Sequence, residues 1–493
     1  MKRLLHALIC GIAALPVSVT ATGREMSLTL DDAIAMARVR SVGAAVALDE
    51  LKTAYWQWRS YRADRLPEIG LKATVPTYAN QYTSYMNGQG EYSFVRNRFL
   101  EVEAQLSVTQ NIVPTGGQIS LTTSLDVLRQ FENGAANRFM TIPVAVSLTQ
   151  PIFGVNKLKW DSRIEPVRYS EAKAAFLSAT EDVALTAVTY FFNLIMSGEN
   201  VRIAGQNLEN ARKLYAVARE KRQMGQISEN DLLQMELNVL DAESDLTDCR
   251  TALKSDMFTL RSFLDLDEDA EIVPVVPETV PKAEITYADA LDRAQANNKF
   301  ARNIRRRQLE AEYEVAKSKG DLRQISLFAQ VGYTGADDNI NDAYSRLRGN
   351  QYVEVGFSIP LLDWGKRRGR VKTAESNLRV TRSRLRQEAM DFDQNLFVLV
   401  ERFCNQQQQL ELARRADAIA RKRYDTFVQT FLIGRISTLD LNDSQTKKDD
   451  SARRYVSELY KFWSYWYQLR SVTLHDYEHD SDIDADIDRL VRM

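Results

Sequence analysis

Two neighbouring stretches of the chain alternate strictly between apolar and polar residues. In residues 99–109 (FLEVEAQLSVT), every second side chain from Leu100 to Val108 is apolar, and the residues between them are polar. Residues 118–127 repeat this pattern around Leu121. Because successive side chains of a β-strand point to opposite faces, each stretch predicts a strand with one apolar and one polar face.

Further segments alternate in the same way and share a length of about ten residues, which is that of a tilted transmembrane strand. These segments are residues 68–76, 141–150, 325–334 and 351–359. Tyrosines near the strand ends suit an aromatic girdle. The pattern favours strands of an outer-membrane β-barrel, although a soluble β-sandwich would show the same alternation.

Long stretches without helix-breaking residues predict helices of unusual length. At 1.5 Å per residue, residues 156–224 would extend over roughly 100 Å as a helix. Small and apolar residues recur among Glu, Arg, Lys and Gln, as is typical of coiled coils. The other predicted helical segments are residues 29–65, 228–264, 286–321, 365–432 and 437–473.

The order of strands and helices occurs twice along the chain. The segment LTLDDAIAMA at 28–37 is echoed by ITYADALDRA at 285–294. A separation of 209 positions relates Pro151 to Pro360, and the same separation relates Gly225 to Gly434. The sequence therefore predicts an α+β chain of two structural repeats, each with strands and a long helical hairpin.

The N-terminal segment and the composition of the chain reduce the number of possible functions. Residues 1–21 have the basic, apolar and small-residue regions of a secretory signal peptide. The 64 basic and 66 acidic residues nearly balance, which gives no reason to expect nucleic-acid binding. The mature chain keeps Cys249 and Cys404, which we expect to be buried free thiols, and His475 and His479, which we expect to be solvated.

The chain shows no phosphate-binding loop, nucleophile elbow or paired-cysteine motif. We therefore expect no enzyme activity, no cofactor and no metal site. The arginines around Arg306 are expected to form a solvated face, and the tail from Asp476 is expected to be mobile. The predicted organisation is as follows: 1–21 signal peptide, 22–67 N-terminal helices, 68–153 first strands, 154–267 first hairpin, 268–284 Pro-rich linker, 285–324 helices, 325–360 second strands, 361–475 second hairpin and 476–493 acidic tail.

At this point the chain resembles the TolC-like outer-membrane efflux protein family. The resemblance rests on the two openings at 28–37 and 285–294, on the strand exits QPIF at 150–153 and IPLLDWG at 359–365, and on the hairpin tips. It implies a homotrimer whose twelve-stranded β-barrel crosses the outer membrane and whose α-helical barrel extends into the periplasm. The implied partners are outer-membrane lipid, a periplasmic adaptor (membrane fusion) protein and an inner-membrane pump.

The hairpin tips carry the candidate site residues. In each tip a glycine permits a tight turn, a serine can cap the next helix, and an aspartate follows three residues later. We expect these tips to contact the adaptor. The residues concerned are Gly225, Ile227, Ser228 and Asp231 in the first half, and Gly434, Ile436 and Ser437 in the second.

Asp440 and Asp443, in the segment LDLNDS, match the family's pair of pore-facing aspartates. The resemblance therefore implies a periplasmic gate lined by six carboxylates in a trimer, which would repel one another and attract cations. Helix capping is the alternative role for Asp440. The family's locking tyrosine and arginine are Phe431 and Ile436 here, so no locking residues are assigned.

The first repeat is longer than the second between its first strand and its final proline. The extra length contains the hairpin of 99–109 and 118–127, joined by a Pro-Gly turn at 114–117. Because exposed apolar faces of this size favour burial, we expect this hairpin to enter the barrel wall. A trimer would then have eighteen strands, with Glu101, Glu103 and Asp126 facing the lumen and the turn at the periplasmic rim. Fewer, longer strands over residues 66–130 are the alternative.

The most favoured function is the exit duct of a tripartite efflux system for small molecules. The same duct could serve type I protein secretion, and the chain does not distinguish the two. A coiled-coil structural or adhesion protein without a pore is a further alternative, against which the alternating strands and the duplicated hairpin argue.

Overall fold

The protein is described by a computed structural model that covers residues 25–74, 76–86, 88, 90–131, 136–267, 270–277, 279–322, 324–358, 362–432, 435 and 438–492. The predicted signal peptide lies outside these residues, as do Pro360, Gly434, Ile436 and Ser437. The helices are α1 (Leu30–Arg40), α2 (Val42–Ala63), α3 (Lys157–Gln223), α4 (Glu229–Phe263), α5 (Tyr287–Asn297), α6 (Lys299–Gly320), α7 (Ile340–Ser345), α8 (Lys366–Leu432), α9 (Thr438–Thr473) and α10 (Ile487–Arg492).

The long predicted helices form almost as their sequences indicate, and strands fill the intervals. Of the described helices, none is long and apolar enough to cross a membrane. The strands are β1 (Glu25–Leu28), β2 (Glu68–Ala73), β3 (Thr77–Met86), β4 (Tyr92–Ile112), β5 (Gly117–Gln130), β6 (Ala136–Pro151), β7 (Glu271–Pro274), β8 (Gln324–Asp337), β9 (Arg348–Ser358), β10 (His475–Asp476) and β11 (Ser481–Asp482).

The chain divides into two compact units. The helical unit comprises residues up to Ala45, Thr180–Glu284 and Glu401–Leu469. The sheet unit comprises Val46–Ala179, Ile285–Val400 and the residues from Arg470 onwards. Several helices contribute residues to both units, and each unit is described separately below.

The main sheet of the sheet unit is antiparallel and has the strand order β2-β4-β5-β6-β8-β9, and a separate antiparallel pair joins β10 to β11. Strand β3 follows β2 along the same edge of β4, so the sheet has six positions side by side. The hairpin of β4 and β5 thus lies within the same sheet as the other strands, and its place in a barrel wall stays a prediction. The strands are longer than expected, since β4 alone has 21 residues.

The strand pairing places apolar residues beside apolar residues on one face of the sheet and polar residues beside polar residues on the other. A row of apolar residues runs across five strands, and Ile69, Val146 and Val331 in this row are largely exposed in the single chain. We call this the apolar face. Its row is Ile69, Val108, Leu121, Val146 and Val331.

The opposite, polar face carries the acidic residues that the sequence analysis assigned to a lumen. Asp126 lies directly across from Glu103, and Glu101 lies on the same face of β4. These three carboxylates therefore share the face opposite Leu121, as alternation requires.

One end of the sheet meets the long helices. Gly116 adopts the left-handed conformation (φ 75°) in the turn between β4 and β5. Asn156, just before α3, donates its side-chain N–H groups to the carbonyl oxygens of Val113 and Pro114 at 2.9 and 3.0 Å. The Pro-Gly turn therefore lies at the helical end of the sheet, where the sequence analysis expected it.

Arginines bind the helices of the sheet unit together. The Arg306 guanidinium on α6 contacts Glu171 on α3 at 2.6 Å and Glu310 at 2.9 Å, while Arg307 contacts Glu388 on α8 at 2.6 Å. The expected solvated arginine face is therefore wrong for these two residues. Glu171 and Glu388 lie 135 and 81 positions away from their arginines, so sequence spacing did not indicate them, whereas Glu310 follows Arg306 by four positions on the same helix.

The C-terminal segment, residues 475–492, is folded rather than mobile. Ile487 and Val491 pack into an apolar cluster with Ala47, Leu51 and Phe176. These apolar residues are spaced along a helix of the acidic segment and hold it against the rest of the unit. The prediction of mobility considered only the charge of the segment.

His475, expected to be solvated, has a side chain only 1% exposed. Its Nδ1 lies 2.9 Å from the Asp482 carboxylate, and its Nε2 lies 3.3 Å from that of Asp480. The guanidinium of Arg293 also approaches this cluster. The aspartates that suggested a mobile tail instead surround a buried imidazole.

We predict that acid releases the C-terminal segment. Burial opposes the ionisation of Asp476, but the hydrogen bond and charge of Arg470, 2.9 Å away, outweigh it and lower the pKa of Asp476 from 3.8 to about 2. A carboxyl group whose pKa is lower in the folded than in the unfolded state stabilises the fold above pH 3.8, here by about 2 kcal/mol. This stabilisation is lost as the pH falls towards 2. Pepsin cleavage of the segment should therefore accelerate between pH 4.5 and 2.

The matched variants are Asp476→Asn and Asp484→Asn. The first removes the charge that Arg470 binds, and we expect it to be cleaved faster than the parent already at pH 4.5. Asp484 is exposed, and its replacement should leave the cleavage profile unchanged. Equal cleavage of Asp476→Asn and the parent at pH 4.5 would contradict the assigned role of this ion pair.

The helical unit is built from antiparallel helices. Helices α3 and α4 pack through Ala204, Leu208 and Leu246, and helices α8 and α9 pack through Phe403 and Phe462. A short parallel pairing joins β1, near the start of the first repeat, to β7, which lies in the predicted Pro-rich linker. The expected burial of both thiols is wrong, because Cys249 is half-buried and Cys404 is exposed.

Candidate functional site: the hairpin tips

The first tip joins α3 to α4 through a glycine turn. Gly225 has φ 70°, a conformation that suits glycine because it has no Cβ. The Gln226 N–H donates to the Lys221 carbonyl and the Gly225 N–H to the Arg222 carbonyl, both at 2.9 Å. This is the Schellman pattern of helix termination, and it satisfies carbonyls that the end of α3 would otherwise leave unpaired.

A capping box begins the return helix. The Ser228 hydroxyl accepts a hydrogen bond from the Asp231 N–H, and the Asp231 carboxylate accepts one from the Ser228 N–H, both at 3.1 Å. The hydrogen bonds from the Ser228 hydroxyl and then from its N–H hold the pKa of the exposed Asp231 carboxyl below its ordinary value. Asp231 therefore has the capping role that its spacing indicates.

The second tip is described only in part. The Arg435 N–H donates to the Thr430 carbonyl at 3.2 Å, which repeats the Gln226–Lys221 bond 209 positions later. Gly434, Ile436 and Ser437 lie outside the described residues. The repeated bond indicates that α8 ends as α3 does.

Asp443 lies on α9 between two cations. Its carboxylate is 3.0 Å from the Lys447 ammonium and 3.3 Å from the Arg423 guanidinium of α8. The Arg423 guanidinium also lies 4.9 Å from the centre of the Phe427 ring. The ion pair with Arg423 thus joins the two helices of the second hairpin close to its tip.

Asp440 lies in the first turn of α9 and is exposed. Carboxylates are favoured there because the helix dipole presents partial positive charge at this end. Asp440 and Asp443 therefore occupy neighbouring positions near the start of the same helix. The structure brings them within one turn of each other, as their sequence spacing requires.

The cationic partners of Asp443 were not among the residues predicted from the sequence. Lys447 follows Asp443 by four positions, a spacing that brings two side chains together on a helix and could have been noticed. Arg423 precedes Asp443 by 20 positions, and only the antiparallel packing of α8 against α9 brings the two together.

Known proteins match the chain in sequence family and in fold. Residues 34–264 match the family model described as outer membrane efflux protein. No curated protein sequence matches the chain.

Solved structures with the same fold include outer-membrane proteins from three organisms. The CmeC outer membrane channel of Campylobacter jejuni is 14% identical, with a TM-score of 0.63 over 94% of this chain and 88% of its own. VceC of Vibrio cholerae is 13% identical, with a TM-score of 0.61 and coverages of 92% and 97%.

The open-state MtrE channel of Neisseria gonorrhoeae is 12% identical, with a TM-score of 0.57 and coverages of 92% and 91%. At such identities the likeness concerns the fold, which extends over nearly the whole chain. The resemblance inferred from the repeats and tips is confirmed: residues 34–264 match the outer membrane efflux protein family model, and the chain as a whole shares the fold of these outer-membrane proteins.

Proposed function

We propose that the chain is the outer-membrane exit duct of a tripartite efflux system and that it passes small molecules from an inner-membrane pump and a periplasmic adaptor to the outside. The observation that carries this proposal is the antiparallel sheet with an exposed apolar face, connected to long helical hairpins, the first of which has a capped tip. The sheet lies in the outer membrane, and the helices extend into the periplasm. Transport through such a duct requires neither catalysis nor a cofactor.

The open edges of the sheet support assembly into a trimer. In the part of the chain that the structure describes, the edge formed by β2 and β3 and the edge formed by β9 each lack a further strand. Unpaired edges are not tolerated in lipid, and strands β2 and β9 run in opposite directions, as an antiparallel ring requires. Three copies would close eighteen strands, half as many again as the resemblance implies, with the polar face inward.

The hairpin tips are proposed to contact the adaptor. Apolar residues near the first tip are exposed in the single chain, among them Met224, Leu233 and Leu237. Exposed apolar residues of this kind suit contact with another helix. The tip residues Gly225, Ile227, Ser228 and Asp231 hold this surface in place through the turn and the capping box described above.

Reconstitution tests the proposed duct. We expect native mass measurement in detergent to give a trimer, and planar bilayers containing that trimer to show discrete conductance steps. A stable monomer, or a trimer that never conducts after insertion, would exclude the duct and favour a structural role for the helices.

The gate is proposed to involve Asp440 and Asp443 at the narrow end of the duct. Three copies would bring six carboxylates together, and their mutual repulsion would oppose closure. The pairing of Asp443 with Arg423 and Lys447 reduces its net contribution to the local negative potential. Both aspartates are proposed to contribute to cation preference.

We predict that Asp440→Asn and Asp443→Asn each lower cation selectivity. The double variant should conduct more than the parent, because the ion pair joining the two helices is lost along with the ring of charge. Single-channel reversal potentials in a salt gradient measure selectivity directly. If neither single variant changes the reversal potential, the two aspartates lie outside the pore and Asp440 is a helix-capping residue.

A further inference from the structure

On the apolar face, arginines take the place of apolar residues near one end of the sheet. This is the end that lies away from the long helices. On β4, the side chains on this face are apolar from Val108 to Leu100, and the next two are Arg98 and Arg96. On β5, the apolar run is followed on the same face by Arg129, which lies directly across from Leu100. The change from apolar to basic residues therefore occurs at the same level on both strands.

Aromatic rings hold two of these arginines in place. The Cζ atoms of Arg98 and Arg129 lie 5.6 and 5.8 Å from the centre of the Phe131 ring, within the range of cation–π attraction. The Phe131 N–H donates to the Arg98 carbonyl at 2.9 Å, and the ring of Tyr78 lies 6.4 Å from that of Phe131. We call this set the arginine patch: Arg96, Arg98, Arg129, Phe131 and Tyr78.

The positive charge of the patch is not neutralised by the described part of the chain. Arg96 donates to the neutral Asn80 side chain at 2.9 Å, and no described carboxylate forms an ion pair with Arg96, Arg98 or Arg129. Arg138, at the same level on the polar face, is by contrast paired with Asp338 at 3.5 Å. An acceptor from outside the chain would complete the coordination of these guanidinium groups.

The height of the patch indicates where that acceptor lies. At about 3.4 Å per residue, the run from Ile119 to Val127 covers roughly 27 Å along the strand, or roughly 20 Å across the membrane after tilting. This approaches the roughly 25 Å height of the apolar band in outer-membrane barrels. Arg129 follows Val127 on the same face, and the long helices lie at the opposite end of the sheet, so the arginines reach the outer border of the membrane.

We propose that the arginine patch binds the phosphate groups of a phosphorylated saccharolipid in the outer leaflet, with its acyl chains against the apolar face. Guanidinium groups bind phosphate through paired hydrogen bonds, which suits Arg98 and Arg129 on adjacent strands. An assembled trimer would present three such sites. The inference goes beyond transport and depends only on the sheet lying in the outer membrane.

The test is binding of bisphosphorylated lipid A to the full-length trimer in neutral detergent, counted by native mass measurement across a titration. Two charge-assisted contacts are lost in R98Q/R129Q, so we expect its affinity to fall roughly tenfold or more. The variant R98K/R129K keeps the charge but loses the paired geometry, and its affinity should be intermediate. R138Q removes an arginine at the same level from the polar face and should bind like the parent.

Two further probes identify the chemistry that is recognised. The affinity of the parent for lipid A without its two phosphates should be as low as the affinity of R98Q/R129Q for intact lipid A. Inorganic phosphate at the same concentration as lipid A should not displace lipid A from the parent. Parent-like affinity of a trimeric R98Q/R129Q, or equal binding of the dephosphorylated lipid, would overturn the proposal. Displacement by equimolar inorganic phosphate would also overturn it, because the patch would then be a site for free anions.

Discussion

Leu121→Lys is expected to prevent insertion of the trimer into the outer membrane. Leu121 lies in the middle of the apolar row across the sheet, and 46% of its surface is exposed in the single chain. A lysine facing lipid costs up to about 2–4 kcal/mol near the midplane, and a trimer would carry three of them. The amount of heat-resistant trimer recovered from outer membranes measures the effect.

The neighbouring residue provides the matched control. Thr122 lies on the polar face, across from Ser107 and Ala145, so Thr122→Lys places the same charge on the other side of the same strand. We expect this variant to assemble like the parent because its lysine faces water in the proposed lumen. If both variants insert equally well, β5 does not contribute to the membrane wall.

Phe403→Ala is expected to weaken the second hairpin strongly. The Phe403 side chain is fully buried, and its ring centre lies 5.4 Å from that of Phe462 and 5.8 Å from that of Trp466. Truncation of a buried phenylalanine costs about 3–5 kcal/mol, since it removes apolar contacts and leaves a cavity. The apparent unfolding midpoint of the purified protein, followed by circular dichroism, should fall well below that of the parent.

The adjacent exposed Cys404 serves as the control for this change. Cys404→Ala alters the same helix one position away and should leave the midpoint within a degree or two, because exposed substitutions have small effects. If Phe403→Ala unfolds at the parent temperature, the packing of α8 against α9 does not limit stability. The stability of the hairpin would then depend on other contacts, such as those between subunits.

The six strand positions of each chain determine the diameter of the proposed duct. The circumference of a closed barrel grows with the number of strands at a fixed spacing of about 4.8 Å. Eighteen strands tilted by about 40° give a backbone diameter of roughly 36 Å, against roughly 24 Å for twelve. The proposed exit would therefore be wider than the resemblance alone implies.

The local elements were determined by the sequence itself. The strand alternation and the absence of helix breakers predicted β4, β5 and the long helices, and the predicted helix over 156–224 differs from α3 (Lys157–Gln223) by one residue at each end. The spacing of Ser228 and Asp231 likewise predicted the capping box. These features depend on neighbouring residues, whose periodicity and hydrogen bonds are already present in the sequence.

Only the tertiary structure decided which charged residues are paired. Arg306 contacts Glu171 across 135 positions, and Arg423 meets Asp443 because two helices pack antiparallel. His475 is buried because the acidic segment folds around it, although its composition predicted a mobile tail. Such pairings depend on the packing of distant segments, which local periodicity does not specify. For this reason the sequence located the hairpin tips but not the ion pair between Arg423 and Asp443.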